Sequence, residues 1–264
     1  MTPPSAPVRQ SGHRSAAGSP ARLRVEVGLH LAAAGLLLGG GGLTLSLERL
    51  LPPSVPAATL LTFALVAALA CTGLDGHDSG RGWGHANRVT LLRGGLTCLL
   101  AGAVPLAPGL GPAVQWGLAV TAVIALALDG VDGWLARRHG QSSPYGARFD
   151  MELDTLLTLV LALLVWRLGE AGIWVLGLGL LRPLFVAAGW LWPWLTAPLP
   201  FSRRRRAVCV VQVAVPAAAL TPLVAPPLSG LAAGAALALL LFSFAVDTVW
   251  LFRHGTAADR MIDG

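Results

Sequence analysis

The chain has 264 residues, of which 55% are hydrophobic and only 12% charged, with a mean hydropathy of +0.67. A soluble domain carries about a quarter charged residues, so a water-solvated globule is excluded and most of the chain is expected to be solvated by lipid. The formal charge of +6 comes from arginine alone, 19 residues with no lysine, and because these arginines lie between apolar runs rather than on one soluble face, nucleic-acid binding is excluded as well.

Residues 1–22 are rich in Pro, Ser, Gly and Arg and read as a disordered cytoplasmic tail. The next apolar stretch, 25–47, is longer than the ~7–15 residues of a signal-peptide core, so a retained membrane span is expected. A span needs about 20 mostly apolar residues. That length gives further spans at 55–73, 89–107, 112–134, 152–168, 172–194, 207–224 and 229–251. They are separated by the turn-forming Leu51-Pro52-Pro53, Ala107-Pro108-Gly109, Pro198-Leu199-Pro200 and Pro226-Pro227.

With the amino terminus inside, 16 arginines fall in cytoplasmic segments (Arg9, Arg14, Arg22, Arg24, Arg81, Arg88, Arg93, Arg137, Arg138, Arg148, Arg203 to Arg206, Arg253 and Arg260). Arg49 and Arg167 fall on the opposite side, and Arg182 falls within a span. The asymmetry predicts eight helices with both termini cytoplasmic, in a cell (inner) membrane.

Trp190, Trp192, Trp194 and Trp250 lie near span ends and are expected to anchor at the interface. Glycine runs such as Gly39 to Gly42 and Gly177-Leu178-Gly179 are expected to let helices approach closely. Cys71, Cys98 and Cys209 have no ligand-like spacing and are expected to be small buried hydrophobes.

The chemistry concentrates between residues 129 and 154, DGVDGWLARRHGQSSPYGARFDMELD. Asp129 and Asp132 stand three apart, and Asp150 and Asp154 four apart, so on helices each pair shares a face. A short turn-rich link, Gly140 to Pro144, forces the two helices antiparallel and brings the pairs together. Converging carboxylates at a membrane boundary must protonate, pair with cations or bind metal. An oxygen-only donor set favours a hard divalent ion. Gly133 and Ala136 are expected to form a groove beside the carboxylates, with Arg137 available to a phosphate. His139 reads as a solvated loop residue. For the aspartates alone, a structural or proton-relay role stays open.

These residues resemble the signature of the CDP-alcohol phosphatidyltransferase family, D-x-x-D-G-x-x-A-R-x8-G-x-x-x-D-x-x-x-D. It is filled by Asp129, Asp132, Gly133, Ala136, Arg137, Gly146, Asp150 and Asp154 with every gap of the right length. Asn87-Arg88-Val89-Thr90-Leu91-Leu92-Arg93 is similar to the family's N-x-x-T-x-x-R at the start of the first core helix, near the nucleotide. Without the signature, Asn87 would read as an ordinary helix cap.

The resemblance implies an all-α polytopic membrane protein with a six-helix core preceded by two extra transmembrane helices. The expected divisions are a tail at 1–22, a helix pair and linker at 23–84, the core at 85–252 and a tail at 253–264. It further implies a homodimer and a reaction in which an acceptor hydroxyl attacks the CDP-linked donor and CMP leaves. Two Mg²⁺ or Mn²⁺ ions are implied, held by Asp129, Asp132, Asp150 and Asp154, with Asp154 also the general base. Asn87, Thr90, Gly133, Ala136, Arg137 and Gly146 are then expected at the nucleotide and pyrophosphate.

Arg182 resembles a family arginine that binds the acceptor's phosphate or an anionic headgroup. Arg203 and Arg204, in the basic run at 203–206, are expected with it; ordinary topogenic charge is the other reading of that run.

CDP-diacylglycerol as donor and a small polar alcohol or its phosphate as acceptor is the leading reading, in phospholipid synthesis among membrane lipids. Another CDP-alcohol or a lipid acceptor is the alternative within the family. An ion or proton transporter, or a catalytically silent scaffold, is the alternative outside it.

Overall fold

The structure is a computed structural model that describes residues 20–74, 82–138 and 143–259; for residues 132–137 and 255–259 only the backbone is described. Residues 1–19 of the expected tail 1–22, the loop residues His139 and Gly140 to Ser142, and Arg81 and Arg260 lie outside the described residues, while residues 20–22 belong to the first helix. The described chain is helical and contains no strand. Its long helices are α1 (Pro20–Leu47), α2 (Ser54–Cys71), α3 (His85–Ala103), α4 (Pro112–Arg138), α5 (Pro144–Arg167), α6 (Gly177–Leu191), α7 (Arg203–Ala219) and α8 (Leu228–Asp259). Short 3-10 turns lead out of α3, into α6 and out of α6. With a backbone that satisfies its own hydrogen bonds and this much apolar surface, the protein is an all-α polytopic membrane protein.

Among the described residues, six segments are long and apolar enough to cross a bilayer: Pro20–Leu47, Ser54–Cys71, His85–Gly109, Pro112–Val131, Ile173–Leu191 and Leu228–His254. Of the two helices outside this set, α5 carries Arg148, Asp150, Glu152 and Asp154 in its first half, and α7 is only 17 residues long and opens on four arginines. At about 1.5 Å per residue, α5 is still about 36 Å long and α7 about 26 Å. Both pack against other helices: α5 on α3, α6 and α7, and α7 on α4, α5 and α8.

Helix starts lie upstream of the apolar stretches in several places. α1 begins at Pro20, α3 at His85 and α5 at Pro144, whereas the apolar spans begin at 25, 89 and 152. Hydropathy marks where lipid solvates a helix, while caps mark where the helix begins. For α5 that cap is Ser143, whose Oγ accepts from Gly146 N at 3.0 Å, with Pro144 pre-shaped for the first helical position. At the other terminus α8 stays helical to Asp259.

Cross-helix bonds define the two ends of the bundle. At one end the first turns of α1, α3, α5 and α7 meet the last turns of α2, α4 and α8. Arg88 of α3 pairs with Glu26 of α1 at 2.8 Å. Arg148 of α5 donates to Thr72 O at 2.5 Å, just past α2, and Arg204 of α7 pairs with Asp247 of α8 at 2.5 Å. At the other end Ser229 Oγ, in the first turn of α8, donates to Glu170 O beyond α5 at 2.8 Å.

The core is centred on α3 and α5. α5 buries Phe149, Leu153, Leu157, Leu161 and Leu164, a stripe at helical spacing. Close approach of α5 and α6 depends on Gly179, where a Cβ would run into the backbone of Leu159. The other glycine run behaves less uniformly: a Cβ at Gly39 or Gly42 would meet Leu60 or Pro56, but at Gly40 and Gly41 it would meet open space.

Trp190 and Trp192 are exposed, while Trp194 packs edge-on against Phe252 at 5.6 Å and Trp250 stacks on His254 at 4.4 Å. One minor expectation is corrected. Of the cysteines only Cys98 is buried; Cys71 and Cys209 are exposed, because lipid solvates a small apolar residue as readily as a protein core does.

Candidate metal and substrate site

Asp129 stands near the end of α4, and Asp150 and Asp154 stand in the first turns of α5. Oxygens from all three lie within 4.8 Å of one another. The cap at Ser143 brings this about, because it starts α5 early enough to put Asp150 and Asp154 on successive turns of one helical face. Asp132 follows one turn after Asp129 on α4. Its side chain, with those of Gly133, Ala136 and Arg137, lies outside the described residues.

The repulsion expected among these acids is relieved by a residue on a third helix. Arg93 of α3 bonds Asp150 through Nη1 and Asp154 through Nη2. Its Nη1 is also 3.2 Å from Asp129 Oδ1. The arginine side chain is 1% exposed, whereas the three carboxylates are 33–38% exposed. The cation therefore sits beneath the acids, which each keep a partly exposed side. Sequence reasoning placed Arg93 within the N-x-x-T-x-x-R run but gave it no part in the cluster. The available signal was that four acids near a bilayer need a cation and that Arg93 stands about two turns inside a helix that enters at the same end.

Asn87 and Thr90 belong to the same helix. Asn87 is buried and its Nδ2 donates to Trp83 O at 2.6 Å. The helix starts at His85 after Gly84, which has φ +84°, so Asn87 is an interior residue and not the cap that the alternative reading expected. Gly146 lets it sit there, since a Cβ on Gly146 would come within 2.8 Å of Asn87 Oδ1. Thr90 Oγ1 bonds Ala86 O at 3.0 Å and is buried.

The arginines expected at the acceptor fall into two groups. Arg182 of α6 reaches across to α5, donating to Met151 O at 2.6 Å and to Thr155 Oγ1 at 2.7 Å, with Glu152 at 3.6 Å. Its guanidinium is thereby held on the helix that carries Asp150 and Asp154. Arg204 and Arg205 share Asp247 of α8 at 2.5 and 3.4 Å, while Arg203 is exposed. Asp247 was not anticipated; an acid inside the last apolar helix, level with a run of four arginines, was its signal. Cys209 of α7 lies within electrostatic reach of Asp129 and Asp154 on one side and of Arg182 and Arg205 on the other. The acidic cluster and the basic groups therefore lie at the same end of the bundle.

Chemically, three convergent carboxylates with no sulfur or imidazole among them form a donor set suited to a hard divalent cation. The arginines beyond α5 suit an anionic group next to it. Comparison with curated proteins and with solved structures gives no match for the chain. The sequence model described as CDP-alcohol phosphatidyltransferase matches residues 83–249, more than half of the chain and the whole of the region just described. The chain belongs to the CDP-alcohol phosphatidyltransferase family, whose chemistry is transfer of a phosphoalcohol group from a CDP-alcohol donor.

Proposed function

We propose that the protein transfers a phosphatidyl group from CDP-diacylglycerol to a small polar alcohol or its phosphate, releasing CMP, in phospholipid synthesis. The observation that carries this reading is the convergence of Asp129, Asp150 and Asp154 from two helices, within 4.8 Å, in a chain of this family. Asp129, Asp132, Asp150 and Asp154 are the residues that would hold divalent ions, Mg²⁺ or Mn²⁺. When bound, such ions neutralise pyrophosphate charge and make the acceptor oxygen a better nucleophile.

The chain's own residues supply the remaining steps. Gly133, Ala136 and Arg137 on the last turns of α4, with Asn87, Thr90 and Gly146, shape the nucleotide and pyrophosphate end. Arg182, Arg203 and Arg204 receive the anionic part of the acceptor. Asp247 already binds Arg204, so an acceptor phosphate there competes with a carboxylate, and Arg182 and Arg203 carry the larger share. Asp154 accepts the hydroxyl proton as the acceptor oxygen bonds to phosphorus. The bond from that phosphorus to the CMP oxygen breaks, and CMP departs with the electron pair.

The cluster end faces the cytoplasm of a cell (inner) membrane on the arginine asymmetry, and a homodimer is the expected assembly. Residues 23–84 form an amino-terminal helix pair and linker outside the 85–252 core.

The test is to incubate the purified protein with CDP-diacylglycerol, a panel of polar alcohols and alcohol phosphates, and Mg²⁺ or Mn²⁺, then identify products by mass. The expected result is CMP release coupled to one new phospholipid and lost on chelation. CMP release only with another CDP-alcohol, or only with a lipid acceptor, would replace the substrate assignment. Transfer that persists under chelation would remove the metal assignment.

A further inference from the structure

We propose that Arg93 is a built-in cation of the carboxylate cluster, a positioning residue that sets both the geometry of the site before a divalent ion arrives and the affinity with which the ion is then held. The proposal rests on the reading of the cluster as a divalent-ion site.

Three observations carry it. Arg93 is 1% exposed, and a guanidinium stays protonated in a protein, so this buried charge needs permanent partners. Its partners are Asp129 of α4 together with Asp150 and Asp154 of α5. One rigid fork from α3 thus ties the two helices that bring the acids together. Finally, its contacts to Asp129, Asp150 and Asp154 are to one oxygen of each, Oδ1. A carboxylate has two oxygens and about four acceptor sites, so each acid retains capacity on its outward, partly exposed side.

The charge balance follows directly. Three carboxylates and one guanidinium leave two negative charges before Asp132 is counted. Arg93 therefore lets the acids coexist without metal, and it also repels any cation that joins them. An ion bound against that repulsion is held less tightly than four unaccompanied carboxylates would hold it, so ion and product can leave after each turnover. Arg93 cannot step aside to avoid the repulsion, since the packing of α3 against α2, α4 and α5 encloses it.

The experiment compares the full chain in detergent with Arg93→Gln and Arg93→Lys, measuring Mn²⁺ affinity by equilibrium binding and the thermal midpoint in chelator. Arg93→Gln removes the charge and should bind Mn²⁺ at least about tenfold more tightly than wild type. Its midpoint should fall in chelator and recover on adding Mn²⁺. Arg93→Lys keeps the charge without the fork, so its Mn²⁺ affinity should stay within about threefold of wild type while its chelator midpoint falls.

An Arg93→Gln affinity equal to or weaker than wild type overturns the proposal and leaves the metal reading standing. Absence of Mn²⁺ binding by wild type overturns both. If Arg93→Gln is isolated only with Mn²⁺ present, the proposal is supported. If it cannot be isolated under either condition, Arg93→Lys decides: a lowered chelator midpoint with affinity within about threefold supports the proposal. An unchanged midpoint, or an affinity altered more than about tenfold, overturns it.

Discussion

Helices α1 and α3 are both apolar enough to cross a bilayer, yet 6% of the spanning window is buried in α1 and 50% in α3. The first is solvated by lipid on nearly every side, with Leu36, Leu37 and Leu47 at least 74% exposed. The second is enclosed by α2, α4 and α5, and it carries a buried arginine into the acidic cluster. Hydropathy cannot separate these two helices, because lipid and protein interior are similarly apolar. What separates them is polar content with partners: α3 brings Asn87, Thr90, Arg93 and Thr97 inside, and such groups can be buried only where other helices satisfy them.

The two regions nevertheless join at one end. Trp83, fully buried just before α3, donates from its ring to Tyr145 Oη at 3.2 Å, and Tyr145 donates to Ala70 O of α2 at 2.5 Å. Trp83 also packs 5.5 Å from His30 of α1, and its backbone N–H donates to Glu26. The amino-terminal pair is thus clasped to the first turns of α3 and α5, the same turns that present Arg93, Asp150 and Asp154.

Substitutions along this gradient should lose effect from the centre outward. Asp154→Asn, inside the cluster, should lower the rate of CMP release by about 10²-fold or more; near-wild-type release would remove Asp154 as the base. Tyr145→Phe, in the clasp, deletes one hydroxyl that serves both Ala70 and Trp83, and should lower stability by about 1–3 kcal/mol in denaturant or thermal unfolding. An unchanged midpoint would mean that the clasp carries no stability. Glu26→Gln weakens a pair whose side chains are 44% and 28% exposed, and solvent screening keeps the expected loss below about 1 kcal/mol. Leu37→Ala on α1, at 78% exposure, should change the midpoint by less than the equivalent of about 0.5 kcal/mol. A loss as large as that of Tyr145→Phe would mean that this face of α1 is covered, by a second copy or another protein.

Cys209 offers a check on where the substrates bind. A thiol reagent should modify this exposed residue, and a CDP-linked lipid with acceptor should slow the modification, since Cys209 has Asp129, Asp154, Arg182 and Arg205 as electrostatic neighbours. Equal labelling rates with and without substrates would place the substrates elsewhere.

Much of the site was legible because its determinants are local. The three- and four-residue spacings of Asp129, Asp132, Asp150 and Asp154 follow from helical periodicity, and the short link at 139–143 leaves α4 and α5 little choice but to lie antiparallel. Arg93 was readable as part of a motif but not as a partner of the acids. Its bonds to Asp150 and Asp154 span 57 and 61 residues, and no local pattern encodes which face of α3 turns inward. Asp247 was missed for the same reason, being 43 residues from Arg204.

The sequence alone determined that this is a multi-helix membrane protein with its four signature aspartates and most of its arginines near one set of helix ends. Composition, helical period and turn chemistry act within about 20 residues and need no knowledge of neighbours. Only the tertiary structure decided which apolar helix lies at the centre, which cation sits under the carboxylates, and that the amino-terminal pair is fastened to the turns that present them. Burial of a charge depends on partners from other helices, and those meet only when the bundle is assembled.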